Sequence, residues 1–511
     1  MQIEAHDPHH LPEADLQDKG LSHNAVGLLG GTVLGISSVA PAYALTATIG
    51  ILVAEAGAKM PVVIIAGFLP MFFAAYAYRE LNKVAPDCGT SFTWTTKSFG
   101  PYIGWLGGWA AVLATVIVLS NLAGVAVQFF YQFIGELTDN ADIGTLWENR
   151  LVNVLTCLIF LAIATAVAYR GITTTEHIQF VLVGFQMVLL VLFAVIALVK
   201  SGSSETGIPF SLDWFSPSGL TMSAFIAGLS GSIFAFWGWD TSLTVNEESK
   251  DSEKVPGRAA LLCVTSILLT YLLVAVATQM YAGVGTSGLG LGNEEIADNV
   301  FGALAEPILG SPLDLFLFLA VLASSAASLI TTFLPTSRTM LAMGAYKAFP
   351  ERFATIHPRY LTPSYATIAA GVGAAAFYSL LTFFSENVLT DTIYSLGIMI
   401  CFYYGLTAFA CIWYFRHELF VDTQSIVFKF LFPLLGGLGL LTVFVVTLRD
   451  SASPDYGSGA SIAGVGLVLI HGLGLIVLGI AFMLIRRAAN PAFFRGETLR
   501  KDTPVLVVDE P

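Results

Sequence analysis

The chain has 511 residues, 55% of them hydrophobic and only 12% charged, with 23 Lys and Arg against 36 Asp and Glu. An average soluble domain carries about 25% charged residues, so this composition excludes a disordered chain, a disulfide-rich secreted module and a soluble enzyme. The formal charge of −13 lacks the clustered basic face that nucleic-acid binding needs. The apolar residues fall in long runs spread evenly along the chain, the pattern of a polytopic membrane protein.

The chain opens on about 20 polar, acidic residues, with no basic stretch leading into an apolar one as in a signal peptide. A helix crossing the hydrocarbon core needs about 20 mostly apolar residues. Twelve segments meet that test: 25–54, 61–83, 101–134, 151–169, 177–199, 219–246, 258–283, 313–344, 364–384, 391–415, 428–448 and 460–485. Several exceed the minimum, so tilts, breaks or extensions are expected. The stretch 84–99 is too polar and too punctuated by Gly and Pro to span, and reads as a short surface or re-entrant helix. With the N-terminus inside, 19 of the 23 Lys and Arg fall in cytoplasmic segments, and only Lys59, Arg150, Lys200 and Arg449 fall outside. That asymmetry is the one expected of twelve spans with both ends cytoplasmic in the plasma or inner membrane. The five cysteines, Cys88, Cys157, Cys263, Cys401 and Cys411, show no paired spacing and read as packing residues, with no metal and no cofactor expected.

The first and sixth segments stand out. The first contains Gly30-Gly31-Thr32-Val33-Leu34-Gly35-Ile36-Ser37-Ser38-Val39-Ala40-Pro41. The sixth contains Gly228-Leu229-Ser230-Gly231-Ser232-Ile233-Phe234-Ala235-Phe236-Trp237-Gly238-Trp239-Asp240. Gly, Ser and Pro at this depth weaken a helix, although small residues also serve close helix packing. The two segments correspond if the chain is two five-helix repeats plus two further helices, and an odd repeat length makes the copies inverted. Paired interruptions of this kind point to a transporter's midplane site. Unwound backbone there offers N–H groups to a carboxylate and carbonyls to an ammonium or a cation.

Three stretches then resemble the amino acid–polyamine–organocation (APC) permease superfamily. The first is Tyr78-Arg79-Glu80-Leu81 with Pro86-Asp87-Cys88-Gly89-Thr90-Ser91-Phe92-Thr93-Trp94, running on to Gly104-Trp105-Leu106-Gly107-Gly108-Trp109. The second is Gly238-Trp239-Asp240 with Glu247-Glu248-Ser249-Lys250 and Pro256-Gly257-Arg258-Ala259. The third is Ser337-Arg338-Thr339-Met340-Leu341-Ala342-Met343, followed by Phe349-Pro350 and Thr362-Pro363. Departures include Asp251-Ser252 for the family's N-P, Gly35-Ile36-Ser37-Ser38 for its G-S-G, and Gly344-Ala345-Tyr346 for its R-D-G.

The resemblance implies an all-α permease of the leucine-transporter type: a 1–24 cytoplasmic tail, a 25–415 inverted-repeat core of ten helices, 416–485 as helices eleven and twelve, and a 486–511 cytoplasmic tail. It implies a secondary active transporter that moves a small-molecule amino acid across the bilayer by alternating access, with H+ as coupling ion; a polyamine importer or exchanger is the nearest alternative. A nutrient sensor needs a sizeable cytoplasmic domain, and a channel needs a repeated filter or charge ring. A membrane enzyme needs a catalytic constellation, whereas the eight His are scattered, with only His471 deep in a span.

The candidate substrate-binding residues are Gly35, Ile36, Ser37, Ser38, Gly231, Ser232, Phe234 and Phe236, with Tyr43, Asn121 and Gln128 behind them. Asp240, the acid placed deepest in a span, is the proton-coupling candidate, because intramembrane carboxylates are costly and mark function. Glu80, Glu247 and Arg338 are the gating candidates, with Arg79, Lys83 and Glu248 as possible partners. Sodium coupling instead needs oxygens where segment 1 meets segment 8, where Ser324, Ser325, Ser328, Thr331 and Thr332 offer hydroxyls; segment 5 has no Lys to replace a cation.

Overall fold

The structure, a computed structural model, describes residues 19–382 and 388–504. The first segment is two helices, α1 (Leu28–Val39) and α2 (Pro41–Ala56). Then come α3 (Met60–Val84), the short α4 (Ser91–Phe99), α5 (Pro101–Thr138), the single turn α6 (Ala141–Gly144), α7 (Arg150–Ala168) and α8 (Ile172–Lys200). The sixth segment is α9 (Met222–Ala235), five non-helical residues and α10 (Thr241–Thr244). It leads to α11 (Val255–Ala282), the short α12 (Val300–Leu309), α13 (Asp314–Thr331), its continuation α14 (Phe333–Ala345), α15 (Ser364–Leu381) and α16 (Val388–Tyr414). The turn α17 (Thr423–Ser425) and a π-helical stretch at Ile426–Leu431 open α18 (Phe432–Asp450), and α19 (Leu467–Ala489) ends the bundle. Among the described residues the sheet is one two-residue antiparallel pair, Ser461–Ile462 with Val465–Gly466.

The order broken helix, long helix, short helix, long helix and two further helices occurs twice, from α1 to α8 and from α9 to α16. This recurrence is the expected five-plus-five arrangement. Ten helical runs among the described residues are long and apolar enough to cross a membrane. One of them, Leu28–Val84, holds 57 residues, more than two crossings need at about 20 each, and is interrupted at Ala40 and at Gly57–Lys59. Helix α9, with 14 residues, is apolar but short.

Burial inverts the soluble pattern at the periphery. On α7, Leu151, Leu155, Ile159 and Ile163 recur every four residues and are all exposed, so one helical face carries a stripe of aliphatic side chains outward. Such a surface belongs against lipid. Helix α5 lies inside, packed on α4, α13, α15, α16 and α19. The helix read at 84–99 exists as α4, but it is buried rather than on the surface. Phe92 and Trp94 are fully covered; Trp94 Nε1 donates to the Ala85 carbonyl at 2.7 Å, and Thr96 Oγ1 returns its hydrogen bond to the Phe92 carbonyl. Its polar side chains are satisfied locally, so burying them is cheap.

Candidate substrate and gating site

Pro41 has no N–H, and its ring disfavours the α conformation in the residue before it. Ala40 leaves the helical region for the left-handed one (φ 55°, ψ 67°) and donates to the carbonyls of Ile36 and Ser37 at 3.1 and 3.2 Å. The break falls at Ala40, so Gly35, Ile36, Ser37 and Ser38 form the last turns of α1 rather than unwound backbone. The second break spans Phe236–Asp240, where Gly238 has φ 111°. A Cβ on Gly238 would lie 2.8 Å from the Ser38 carbonyl carbon and 2.9 Å from Val39 N. Glycine thus lets the two interruptions touch. Gly231 and Ser232 lie earlier, within α9: Gly231 faces Ile51 and Leu52, and Ser232 Oγ reaches the Ile64 carbonyl on α3 at 3.4 Å.

Hydroxyls from α1, α10 and α13 and one side-chain amide from α8 meet around Ser37 and Ser38. Ser37 Oγ donates to Gln179 Oε1 on α8 at 2.6 Å and lies 3.3 Å from Thr331 Oγ1 on α13. Gln179 Nε2 donates to the Ala327 carbonyl at 3.2 Å. Ser328 Oγ donates to the Ser38 carbonyl and Thr241 Oγ1 to Ser38 Oγ, both at 2.8 Å. Segment 1 does meet segment 8 here; Gln179 and Thr241 are the members that sequence reasoning missed, since a lone polar residue carries no motif. Gly35 provides close approach, because a Cβ there would lie 2.7 Å from Ser242 Oγ and 3.0 Å from Cys263 Sγ. Ile36 is buried beside it.

Beyond the first break, Tyr43 and Phe234 meet edge to face at 6.4 Å. The Tyr43 hydroxyl faces Asn121 on α5, whose Oδ1 accepts from Thr392 on α16 at 2.8 Å. The Tyr43 hydroxyl, Asn121 Nδ2 and Ser230 Oγ are buried with no direct hydrogen-bond partner among the described residues. Unpaired buried polar atoms are uncommon and costly; that of Tyr43 lies on the ring that meets Phe234, and Ser230 Oγ faces Gly397 on α16. Phe236 packs instead on Phe68 and Tyr271, at 5.8 and 5.1 Å; Gln128 is buried on α5. Asp240 is buried facing the Tyr404 hydroxyl, with Tyr78 and Tyr403 close by. Its Oδ1 makes no direct hydrogen bond, and it pairs with no cation, among the described residues.

The gating candidates do not form one cluster. Arg338 grips Glu248, not Glu247, through two bonds: Nε to Oε2 at 2.8 Å and Nη2 to Oε1 at 2.9 Å. Glu80 is held by Arg79 and Lys83, each at 2.7 Å, and takes no partner from segment 6. Glu247 pairs with Lys19, from the N-terminal segment, at 2.5 Å, and accepts from Cys88 N at 2.8 Å. Lys19 Nζ also reaches Asp87 at 2.7 Å. Asp87 accepts in turn from Gly89 N, Thr93 Oγ1 and the Tyr346 hydroxyl, at 2.8, 2.6 and 2.7 Å. All four side chains, Lys19, Asp87, Glu247 and Tyr346, are buried. Burial works against the Lys19 charge, but the nearby carboxylates outweigh it and hold the ammonium well above its usual value. Asp87 is likewise opposed by burial, yet Lys19 and the three donors bring it below the carboxylate range. Burial and the Asp87 charge push Glu247 up. Asp87, Cys88 and Glu247 have metal-binding atom types within 4.8 Å of one another, but the Lys19 ammonium already supplies the cation between the carboxylates.

The backbone reinforces this lock. Ala25 N and Val26 N donate to the Glu248 carbonyl at 2.8 and 3.0 Å, and Lys250 N donates to the Val26 carbonyl at 2.8 Å. Sequence reasoning missed Lys19, Asp87 and Tyr346. Asp87 lay inside a quoted motif, whereas Lys19 sat in a segment read only as a tail.

The chain matches the model of a family described as amino acid permease over residues 24–481. It is 24% identical to the branched-chain amino acid permease BcaP of Lactococcus lactis subsp. cremoris, over 73% of this chain and 78% of that protein. It is 24% identical to the low-affinity putrescine importer PlaP of Escherichia coli K12, over 82% and 87% respectively. Its fold is similar to that of MhsT, solved in complex with L-phenylalanine, with a TM-score of 0.62 at 16% identity, covering 83% of this chain and 99% of that one. That is the leucine-transporter-type architecture that the resemblance implies. The chain belongs to the amino acid permease family of the APC superfamily, and is a membrane transporter and not an enzyme.

Proposed function

We propose that this protein imports an amino acid across the plasma or inner membrane in symport with a proton, by alternating access. The observation that carries the reading is the contact of the two breaks at Gly238 and Ser38, beside unpaired buried groups on Tyr43, Asn121 and Ser230. A zwitterion fits there: its ammonium takes carbonyl oxygens, its carboxylate takes the Ala42 N–H at the start of α2, since Pro41 has none and Tyr43 N already donates to Ser324 Oγ at 3.3 Å, and its side chain takes Phe234 and Tyr43. Ser37 and Ser38 are tied to α8 and α13 and shape the pocket through the α1 backbone, as Gly231, Ser232 and Phe236 shape it through α9.

The 57-residue run Leu28–Val84 counts as two crossings, and α9 with its non-helical extension as one. That gives twelve with both ends cytoplasmic, and keeps the division at 1–24, 25–415, 416–485 and 486–511. Asp240 is the proton carrier in this reading: a buried carboxyl among tyrosine hydroxyls, without a counter-charge, is costly to keep ionised. The hydroxyls between α1 and α13 are already engaged with each other and with the backbone, which favours H+ over sodium. Glu80, Glu247 and Arg338 act at the cytoplasmic closure, Glu247 and Arg338 through Lys19 and Glu248.

Uptake into proteoliposomes, with labelled amino acids and diamines and an inward proton gradient switched on or off, tests the reading. Zwitterion uptake that rises with the gradient is expected. Uptake of diamines alone would move substrate recognition to Asp240 and support the polyamine alternative, which the PlaP relative makes the second choice. Sodium-dependent uptake indifferent to pH would overturn the coupling.

A further inference from the structure

The end of α19 and the start of α5 enclose a cavity of about 420 Å³ that the transport reading does not use. Tyr102, Leu484, Arg487, Pro491, Phe494 and Arg495 line it. One wall is apolar and faces outward, where Leu484 and Tyr102 are exposed. The other wall carries two guanidinium groups. Arg487 lies over the Tyr102 ring at 5.6 Å and has no carboxylate partner among the described residues. Arg495 has Glu497 at 3.7 Å, with both side chains largely exposed, so water screens that pair. The neighbouring arginines are committed elsewhere: Arg486 donates to the Ala348 carbonyl and Arg500 to the Gly496 carbonyl. Phe494 closes the cavity by packing on Tyr102 at 5.5 Å.

Two arginines lining one cavity match a phosphate better than any neutral ligand. A concave basic site between the ends of two membrane helices, floored by aromatic rings and open to the lipid on its apolar side, fits one whole molecule: a phospholipid. We propose that this cavity binds an anionic phospholipid, its phosphate on Arg487 and Arg495 and its glycerol and first methylenes against Leu484 and Tyr102. The site lies on the face assigned above to the cytoplasm, where anionic lipids draw juxtamembrane basic residues. The same chain segment includes Phe493, whose ring lies tilted against Phe92 at 5.5 Å, and Thr498, which donates to the Tyr346 carbonyl at 2.6 Å. An occupied site therefore steadies the C-terminal segment against α4.

The test uses the full chain in nanodiscs, which present both leaflets alike, so its outcome does not depend on the proposed orientation or on transport. Phosphatidylglycerol retention is compared with phosphatidylcholine by native mass spectrometry, and thermal melting is followed in parallel. Preferential retention of phosphatidylglycerol is expected. Arg487→Gln with Arg495→Gln should weaken it by about 30-fold, as expected for two charges near an anionic surface. A control pair that removes the same charge elsewhere on that face, Arg416→Gln with Lys429→Gln, should leave it unchanged. Melting in phosphatidylcholine alone confirms that each variant is folded. Equal loss in both pairs would reduce the effect to general surface charge and overturn the site. Displacement of the lipid by millimolar inorganic phosphate would assign the cavity to a free anion and overturn the lipid proposal.

Discussion

Lys19 is the side chain on which the buried cluster of Asp87 and Glu247 depends most. It is the one cation between Asp87 and Glu247 among the described residues, and removing one partner from a buried ion pair costs about 3–5 kcal/mol. Lys19→Gln should therefore speed amide exchange at Ala25 and Val26 by at least roughly tenfold, since about 1.4 kcal/mol already gives that factor; unchanged exchange would show that Lys19 is not the latch. The pH response follows from the shifts. Asp87 is held below its ordinary value, so its stabilisation is present above about 3.9 and is lost as pH falls through the folded value. Lys19 is held above its ordinary value, so its contribution is complete below about 10.4 and is lost only as pH rises through the higher folded value. Glu247 is raised and runs the other way: ionising it in place costs stability as pH rises through its folded value. The latch should hold at neutral pH and release in strong acid, which exchange at Val26, corrected for intrinsic rates, measures directly. Asp240 belongs to the same scale. Asp240→Asn is expected to abolish the response of uptake to a proton gradient while the melting temperature changes little; a retained pH response would remove Asp240 from the coupling.

At the scale of elements, the two interruptions have different causes and should fail differently. The first depends on Pro41, and Pro41→Ala would restore an N–H and let α1 continue into α2. Substrate binding should then be lost while the protein still folds, as binding and melting measured together would show. Ala40 holds a conformation that costs a non-glycine residue roughly 1–3 kcal/mol, so Ala40→Gly should keep uptake and raise stability. The second interruption depends on Gly238. Gly238→Ala adds a Cβ against the Ser38–Val39 peptide at φ 111°, and uptake should fall to background; wild-type transport in this variant would mean that the two breaks can separate without consequence. The hydroxyl cluster around Ser37 and Ser38 joins α1 to α8 and α13, so the first broken helix is pinned at its middle to elements of both repeats.

Over the whole molecule, three motif stretches separated by up to about 250 residues of chain close one side of the bundle. Asp87 and Cys88 come from the loop after α3, Glu247 and Glu248 from the exit of segment 6, and Arg338 and Tyr346 from α14 and its end. Lys19, Ala25 and Val26 tie the N-terminal segment to them. In the alternating-access cycle proposed above this side opens, and these pairs are then the ones that break. A buried pair suits that role better than it suits stability, because its desolvation cost offsets much of its attraction.

The sequence by itself determined the membrane class, the order of the helices and the five-plus-five arrangement, because each rests on local features: run length, charge between runs, and Gly, Ser or Pro within them; the family was legible through the resemblance of three motif stretches. It also singled out Arg338, Glu247 and Asp240 as residues to examine. Only the tertiary structure decided who meets whom. That Arg338 takes Glu248 and leaves Glu247 to Lys19 depends on how three chain segments converge, and Glu247 and Glu248 are indistinguishable by composition. The break at Ala40 rather than at Gly35–Ser38 was local in cause, yet the glycine and serines drew attention because small residues serve packing and unwinding alike. Gln179 was illegible for a further reason. A single polar residue in an apolar helix has no period or spacing, and what it does is set by the helix packed against it.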